Sequence, residues 1–290
     1  MTGIGGEFRF SQSGLQAFDR CRRRFFLRYL DELEWPAPVT DSEEHWEKAT
    51  GRGQLFHLLV QQSALGIGVD ATVAANGDPV LSSWWENYLR FAPRPGDGER
   101  VISEVELSAA VGEFSAVAKF DRIVLPAPGS GASTRIIDWK TGQLRPRQAD
   151  LQRSWQTAVY CYVFTEGGGT LIEGEDSGAV DPGRLELQYW HAAFPDALEP
   201  IRYSAALHAR AGDRLRSAIA EIASLAEKAE PEGFPRTGDK RECRHCEYRS
   251  YCGRGRSPGA FAEWEMLPVS DEERDEGEGG PWNDELAGGP

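Results

Sequence analysis

A chain of 290 residues with 40% hydrophobic, 10% aromatic and 27% charged positions can bury a core without disulfide staples, which excludes a fibrous, wholly disordered or small stapled scaffold. No apolar run reaches the roughly 18 residues of a membrane span, and Met1–Phe10 lacks the basic and apolar regions of a secretion signal, so the expected setting is the cytoplasm, with no membrane attachment. A net charge of −14 argues against a polyanionic partner only until its distribution is read, because residues 271–290 carry eight acids against Arg274 alone, a net −7.

From the N-terminus, Ser11 or Ser13 is placed to cap a helix over 14–30, with Leu15, Phe18, Phe25 or Phe26, and Tyr29 at helical spacing. Arg20, Arg22, Arg23, Arg24 and Arg28 crowd this segment. Pro36 and Pro38 predict a loop over 34–41. Helices follow over 43–65 and 82–91, with 66–79 as connector. Alternating and β-branched runs predict strands at 100–110, 114–125 and 135–139, with a turn at 126–131. Helical spacing returns over 151–164. Two further strands are expected at 184–192 and 201–204, then an amphipathic helix at 205–229 with Leu207, Leu215, Ile219, Ile222 and Leu225 inward. Lys240, Arg241, Arg244, Arg249, Arg254 and Arg256 form a second basic segment, so local fields leave a nucleic-acid partner open.

This order predicts an α/β or α+β core of mixed strand direction. Residues 1–257 form one unit, with 31–99 as its helical region, and 258–290 form an acidic tail. From Ser270 the tail has too little apolar surface to offset ordering entropy. It could mimic DNA, dock a partner or aid solubility. No Gly-x4-Gly-Lys-Ser/Thr loop occurs, so any ATP-driven motor belongs to another polypeptide.

Asp138 and Lys140 stand two apart at the end of an apolar strand and emerge on one face. A carboxylate there can bind a hard cation while the ammonium faces water or phosphate; an edge-strand ion pair has the same spacing. Asp121, in a neighbouring predicted strand, would lie beside Asp138 if the two strands pair, and two adjoining carboxylates repel unless a cation joins them. A solvent-exposed Asp121–Arg122 pair is the alternative. His57 sits among apolar neighbours on a helix, as a ligand or as a core histidine. Gln156 and Tyr160 are four apart, hence on one helical face, and suit a phosphate contact or simple packing. Cys161 reads as a small buried hydrophobe. Cys243, Cys246 and Cys252 form Cys-x2-Cys-x5-Cys, a spacing that suits a metal lacking a fourth ligand, with free thiols as the alternative.

The joint order Ser11-x-Ser13-x-Leu15 with Cys21, Gly53-x3-His57, Asp121, Asp138-x-Lys140, Gln156-x3-Tyr160 and the three cysteines resembles the PD-(D/E)xK nucleases of the RecB-like group. It is similar especially to the iron-sulfur subset that includes CRISPR-associated and helicase-linked exonucleases. The match spans about 10–252. It departs from the family pattern in the Phe120 that precedes Asp121, where proline is usual, and in Asp138, where glutamate is frequent.

The resemblance implies a restriction-endonuclease-like fold, a mixed sheet flanked by helices, and metal-dependent phosphodiester hydrolysis. His57, Asp121, Asp138 and the Trp139 carbonyl would hold Mg2+ or Mn2+. Lys140 would orient or deprotonate water, and Gln156 and Tyr160 would position DNA. Glu104 is similar to a further acidic position of the family, with Glu106 competing in the same strand. The resemblance also supplies Cys21 as the fourth thiol of a [4Fe-4S] cluster with Cys243, Cys246 and Cys252, joining 10–30 to 231–257 and gathering the flanking arginines into one basic surface. Four thiolates equally suit zinc, for which His245 could replace one.

The function implied is a single-stranded DNA exonuclease in repair, recombination or CRISPR-type processing, working beside a separate helicase. Two other classes remain: a non-catalytic DNA-binding partner of a helicase, and a zinc-stapled interaction protein whose acidic tail recruits a basic partner. Phosphate contact through arginines predicts little sequence specificity.

Overall fold

The computed structural model describes residues 4–34, 41–142, 147–172, 179–196, 199–228, 233–244 and 246–255, with backbone alone over 41–50. Most of the proline loop at 34–41, His245 and the acidic tail from 258 lie outside the described residues.

Six strands form one mixed sheet: β1 (Arg9–Ser11), β2 (Arg100–Val111), β3 (Phe114–Leu125), β4 (Thr134–Lys140), β5 (Leu185–His191) and β6 (Ile201–Arg202). β2 and β3 make a long antiparallel hairpin from Arg100↔Leu125 to Val111↔Phe114, turning at Gly112, whose φ of 64° suits a residue without a Cβ. β4 runs antiparallel to β3 and parallel to β5, and β6 is antiparallel to β5.

Because β2 occupies one edge of β3 along its length, β1 and β4 share the other. β1 takes Ser115–Val117 in parallel and β4 takes Arg122–Val124. Between them, Ala118–Asp121 have no strand on that edge among the described residues. This split is where the candidate site forms.

Helices cover both faces. On one side lie α1 (Gln12–Arg20), α2 (Arg22–Phe25) with a π-helical turn at Phe26–Leu30, α6 (Gln148–Arg153), α7 (Trp155–Gly167) and α8 (Ala205–Ala226). Leu15, Phe18, Phe25, Phe120, Ile136, Val159, Phe164, Leu187, Leu215 and Ile222 form its core. α7 is buried on nearly all sides, as a helix hydrophobic around its circumference must be. The other face carries α3 (Asp41–Ala64), α4 (Asp70–Asn76) and α5 (Pro79–Phe91), which pack Phe56, Leu59, Trp84, Trp85 and Tyr88 against Val124, Ile137, Trp139 and Trp190. The architecture is therefore α/β, a mixed central sheet flanked by helices. No helix among the described residues is long and apolar enough to cross a membrane.

Several boundaries differ from the sequence expectation. The 14–30 helix breaks at Cys21, which is extended at φ −158° and ψ 113°. The segment at 233–237 holds it there: Arg23 N donates to Pro235 O at 3.1 Å, and Thr237 N to Cys21 Sγ at 3.4 Å. Ser11, not Ser13, is the cap, accepting from Gly14 N at 3.2 Å. The 66–79 connector contains α4, stopped by Gly77 at φ 71°, and α5 starts early because Asp78 accepts from Val80 N and Leu81 N with Pro79 behind it. The 151–164 helix splits at Ser154, whose ψ of 153° and bond from Thr157 N make it the cap of α7. At 201–204 the strand proper is Ile201 and Arg202, Tyr203 N adds one bond to Leu185 O at 2.9 Å, and Ser204 already caps α8.

α7 meets β2 at the closest approach permitted by a glycine. A Cβ on Gly167 would lie 2.7 Å from the Ser108 carbonyl oxygen, a backbone atom fixed in the sheet. Gly167→Ala is expected to lower stability by about 2 kcal/mol, read as a lower urea midpoint at unchanged slope; an unchanged midpoint would mean that α7 shifts freely.

Candidate active site

The site begins with a break in strand alternation. Phe120 and Ile123 both pack in the α7-side core, although residues three apart normally face opposite ways. Asp121 and Arg122 consequently both turn toward the α3–α5 side. Asp121 meets His57, while the Arg122 guanidinium sits 4.9 Å from the Trp139 ring and reaches the Tyr88 hydroxyl at 3.3 Å. The same slip affects β2 directly opposite, between Ile102 and Val105. There Glu104 has a φ of 54°, a left-handed conformation costing on the order of 1 kcal/mol and concentrated in proteins at functional sites.

Pairing between β3 and β4 ends at Arg122↔Ile137. The next step would set Asp121 opposite Asp138; there the strands part, and Asp121 Oδ2 accepts from Trp139 N at 2.8 Å. Asp121 Oδ1 lies 3.3 Å from His57 Nδ1. Ligand atoms of His57, Glu104 and Asp121 all fall within 4.8 Å of one another. Glu104 Oε2 also meets Lys119 Nζ at 2.7 Å, while Glu106 is drawn away to Arg9, likewise at 2.7 Å. Gly53 brings α3 this close, since a Cβ there would lie 2.8 Å from Thr141 Oγ1 just past β4.

A second network adjoins the first. Asp138 Oδ1 accepts from Gln156 Nε2 at 2.6 Å, and Lys140 Nζ donates to Gln156 Oε1 at 2.7 Å. Lys140 Nζ lies 2.9 Å from Asp138 Oδ2 and 5.3 Å from the centre of the Tyr189 ring. The Tyr160 hydroxyl bonds the Gln156 side chain, its ring 5.0 Å from that of Phe120. Ser154, by starting α7 where it does, turns Gln156 and Tyr160 toward β4. The structure thus brings together His57, Asp121, Asp138, Trp139, Lys140, Gln156 and Tyr160.

The electrostatics follow from crowding acids around His57 and Lys140. Burial alone would lower the His57 pKa, but the Asp121 hydrogen bond and the charges of Asp121 and Asp138 outweigh it, so the pKa is raised. Burial pushes Asp121 up; the His57 bond and charge, the Trp139 N–H and Lys140 prevail and hold it low. Asp138 is raised, because its burial and the Asp121 charge exceed the help of Lys140. Burial and the Asp138 charge keep the Tyr160 and Tyr189 phenols neutral, with pKa values well above normal.

The donor set fits a hard divalent cation. Asp138 Oδ2 is buried beside Lys140 Nζ at 2.9 Å, while His57, Glu104 and Asp121 present their ligand atoms together. Carboxylates with one imidazole suit Mg2+ or Mn2+ better than a thiophilic metal.

Cys21, Cys243, Cys246 and Cys252 lie within electrostatic reach of one another, less closely gathered than His57, Glu104 and Asp121, the metal-ligating group found among the described residues. Cys246 interacts electrostatically with Cys21, and Cys252 with both Cys21 and Cys243. Cys161 lies apart, buried on α7. The arginines around the group do not all offer free charge to a phosphate backbone. Arg24 is buried and paired with Glu247 at 2.9 Å, Arg22 pairs with Glu221 at 3.0 Å, and Arg241 with Asp239 at 3.0 Å. The expected single basic surface is therefore reduced by internal ion pairs.

Among functional candidates, Glu104 was ambiguous with Glu106 in the sequence, and Lys119 carried no signal beyond its place in the strand. A left-handed residue inside a strand leaves no mark in hydrophobic periodicity; the pairing of Glu106 with Arg9, far off in sequence, decides between the two acids.

The model of the PD-(D/E)XK nuclease superfamily matches residues 9–253. No curated protein matches the sequence. Among solved structures, one from Eubacterium rectale, described as a "Putative exonuclease", is similar with a TM-score of 0.51 and 14% identity, covering 93% of each chain. That of SSO0001 is 14% identical with a TM-score of 0.36, covering 86% of this chain and 87% of its own. With the family's match extending from β1 through the last cysteine, the chain belongs to the PD-(D/E)XK nuclease superfamily, whose members hydrolyse phosphodiester bonds.

Proposed function

We propose that this protein is a metal-dependent deoxyribonuclease acting as an exonuclease on single-stranded DNA. The observation that carries the reading is the Asp138–Lys140–Gln156 network set directly beside Asp121, His57 and Glu104. His57, Glu104, Asp121, Asp138 and the Trp139 carbonyl would hold Mg2+ or Mn2+. The bound ion would lower the pKa of water and offset charge developing on the phosphate.

Lys140 keeps an ammonium proton for a water or a phosphate oxygen, since two of its three donors point to Asp138 and Gln156. Gln156 fixes both partners, so Asp138 and Lys140 stay in one geometry. Tyr160, a neutral phenol beside Gln156, is suited to donate to a phosphate oxygen.

The cysteine group would hold a [4Fe-4S] cluster with a structural role, zinc being the other metal that four thiolates suit. Residues 1–257 would act as one catalytic unit, and the absence of an ATPase loop from the sequence supports cooperation with a separate helicase in DNA repair, recombination or CRISPR-type processing. Exonuclease mode draws support from the likeness to the Eubacterium rectale structure.

Anaerobically purified protein with Mg2+ or Mn2+ is expected to shorten end-labelled single-stranded DNA progressively, the label pattern giving polarity. Intact single strands under both metals would overturn the reading. Cleavage confined to internal sites would retain the nuclease and discard the exonuclease mode.

A further inference from the structure

Resting on the metal-centre reading above, we propose that Lys119 is a built-in counter-ion that occupies Glu104 when no divalent cation is bound and must release it for the cation to be held. The geometry starts with Glu104, whose φ of 54° turns its side chain out of the regular strand alternation. The carboxylate stands in a group with Asp121 and His57. Without a cation, two adjoining carboxylates repel each other. Lys119, two residues before Asp121 on β3, closes on Glu104 Oε2 at 2.7 Å and also lies in the field of Asp121 and Glu106.

Burial makes this contact exchangeable. The Lys119 side chain is 63% exposed and that of Glu104 only 20%, so the lysine can swing into water while the glutamate stays in the site. An ion pair with such an exposed partner is weak, and a divalent ion with several ligands displaces it. Lys140 differs: its side chain is only 19% exposed and it is tied to both Asp138 and Gln156. One lysine is thus placed for chemistry and the other for charge balance. Lys119 is a positioning residue in this scheme, acting through Glu104.

The test is Mn2+ binding to full-length, DNA-free protein, measured by calorimetry and by the electron paramagnetic resonance signal of free Mn2+. Asp121→Asn provides the background from the acidic tail. Lys119→Met is expected to bind Mn2+ about two- to fivefold more tightly than wild type, the range that loss of a weak competing pair allows. Lys119→Arg, which keeps the charge, should remain within twofold of wild type. In a Glu104→Gln background, Lys119→Met should change nothing, because the acid competed for is gone. Unchanged affinity in Lys119→Met, or an equal gain with and without Glu104, would overturn the proposal while leaving the metal centre standing. No Mn2+ uptake above the Asp121→Asn background in wild type would overturn the metal centre itself, and this role with it.

Discussion

Lys140→Ala is expected to slow phosphodiester cleavage by about 10³-fold or more, the combined scale of losing a proton-transfer group and a charge aimed at the reacting phosphate. The same change has a cost in stability. Asp138 is buried, and Lys140, whose Nζ lies 2.9 Å from Asp138 Oδ2, is the cation beside it. Removing one partner of such a pair leaves a desolvated charge and costs about 3 kcal/mol.

A divalent cation can substitute for that lost charge, so urea unfolding of Lys140→Ala should recover with Mn2+ while cleavage does not. Lys140→Arg separates the two roles from the other direction. It keeps the charge near Asp138, and hence most of the stability, but a planar guanidinium cannot reproduce an ammonium seated among Asp138, Gln156 and the Tyr189 ring. Cleavage by Lys140→Ala within tenfold of wild type would remove Lys140 from the chemistry and return the Asp138-x-Lys140 spacing to an ordinary strand ion pair.

What could be read from the sequence follows the range over which each feature is encoded. β2, β3 and β4 were legible because alternation and β-branched residues report directly on half-buried strands. Asp138 and Lys140 were legible as neighbours because period-two geometry puts them on one face. Gln156 and Tyr160 kept their shared face even though the helix starts at Trp155 rather than 151. The failures are local backbone choices made by distant contacts. Cys21 is extended because residues 235–237 bond around it, and nothing between 14 and 30 encodes that. α4 was hidden in a stretch rich in alanine and glycine, whose apolar face is only the short Val69–Val73 pair.

The site shows the same limit at finer scale. Pairing register alone suggested Asp121 beside Asp138. The slip in alternation that turns Asp121 toward His57, and Glu104 into the same group, arises jointly in two strands and breaks the regular pattern from which strands are recognised. A feature that violates periodicity cannot be found by periodicity. It becomes visible only when the opposite strand and α3 are in place.

Cys21→Ser is the second substitution of large expected effect. It should abolish visible absorbance and bound iron in anaerobic preparations, and should lower stability by about 5 kcal/mol, the chain-entropy value of closing a loop of more than 200 residues. The segment has no helix or strand among its described residues to replace that link: from Cys243 to Cys252 it forms turns, with Cys246 and Tyr248 buried against the core. Arg24 and Arg28 both reach Glu247, and Phe234 packs its ring against Phe25 and Phe26. These contacts bring the segment to the first helix but leave Cys246 with a thiol pushed up to about 12 by burial and by Glu247, a group that remains a neutral thiol at ordinary pH unless a metal displaces its proton.

Limited proteolysis supplies the local readout: cutting within 233–255 should accelerate in Cys21→Ser and Cys252→Ser alike. Cys161→Ser is the control, since its thiol is buried on α7 away from the group, and metal content should not change. Colourless wild-type protein carrying stoichiometric zinc would assign the group to zinc with the same stabilising role. Wild-type protein prepared without oxygen that carries neither iron nor zinc, and is as stable as Cys21→Ser, would reduce the four cysteines to free thiols and leave the contacts of Phe234, Pro235, Glu247 and Tyr248 to join residues 233–255 to the first helices.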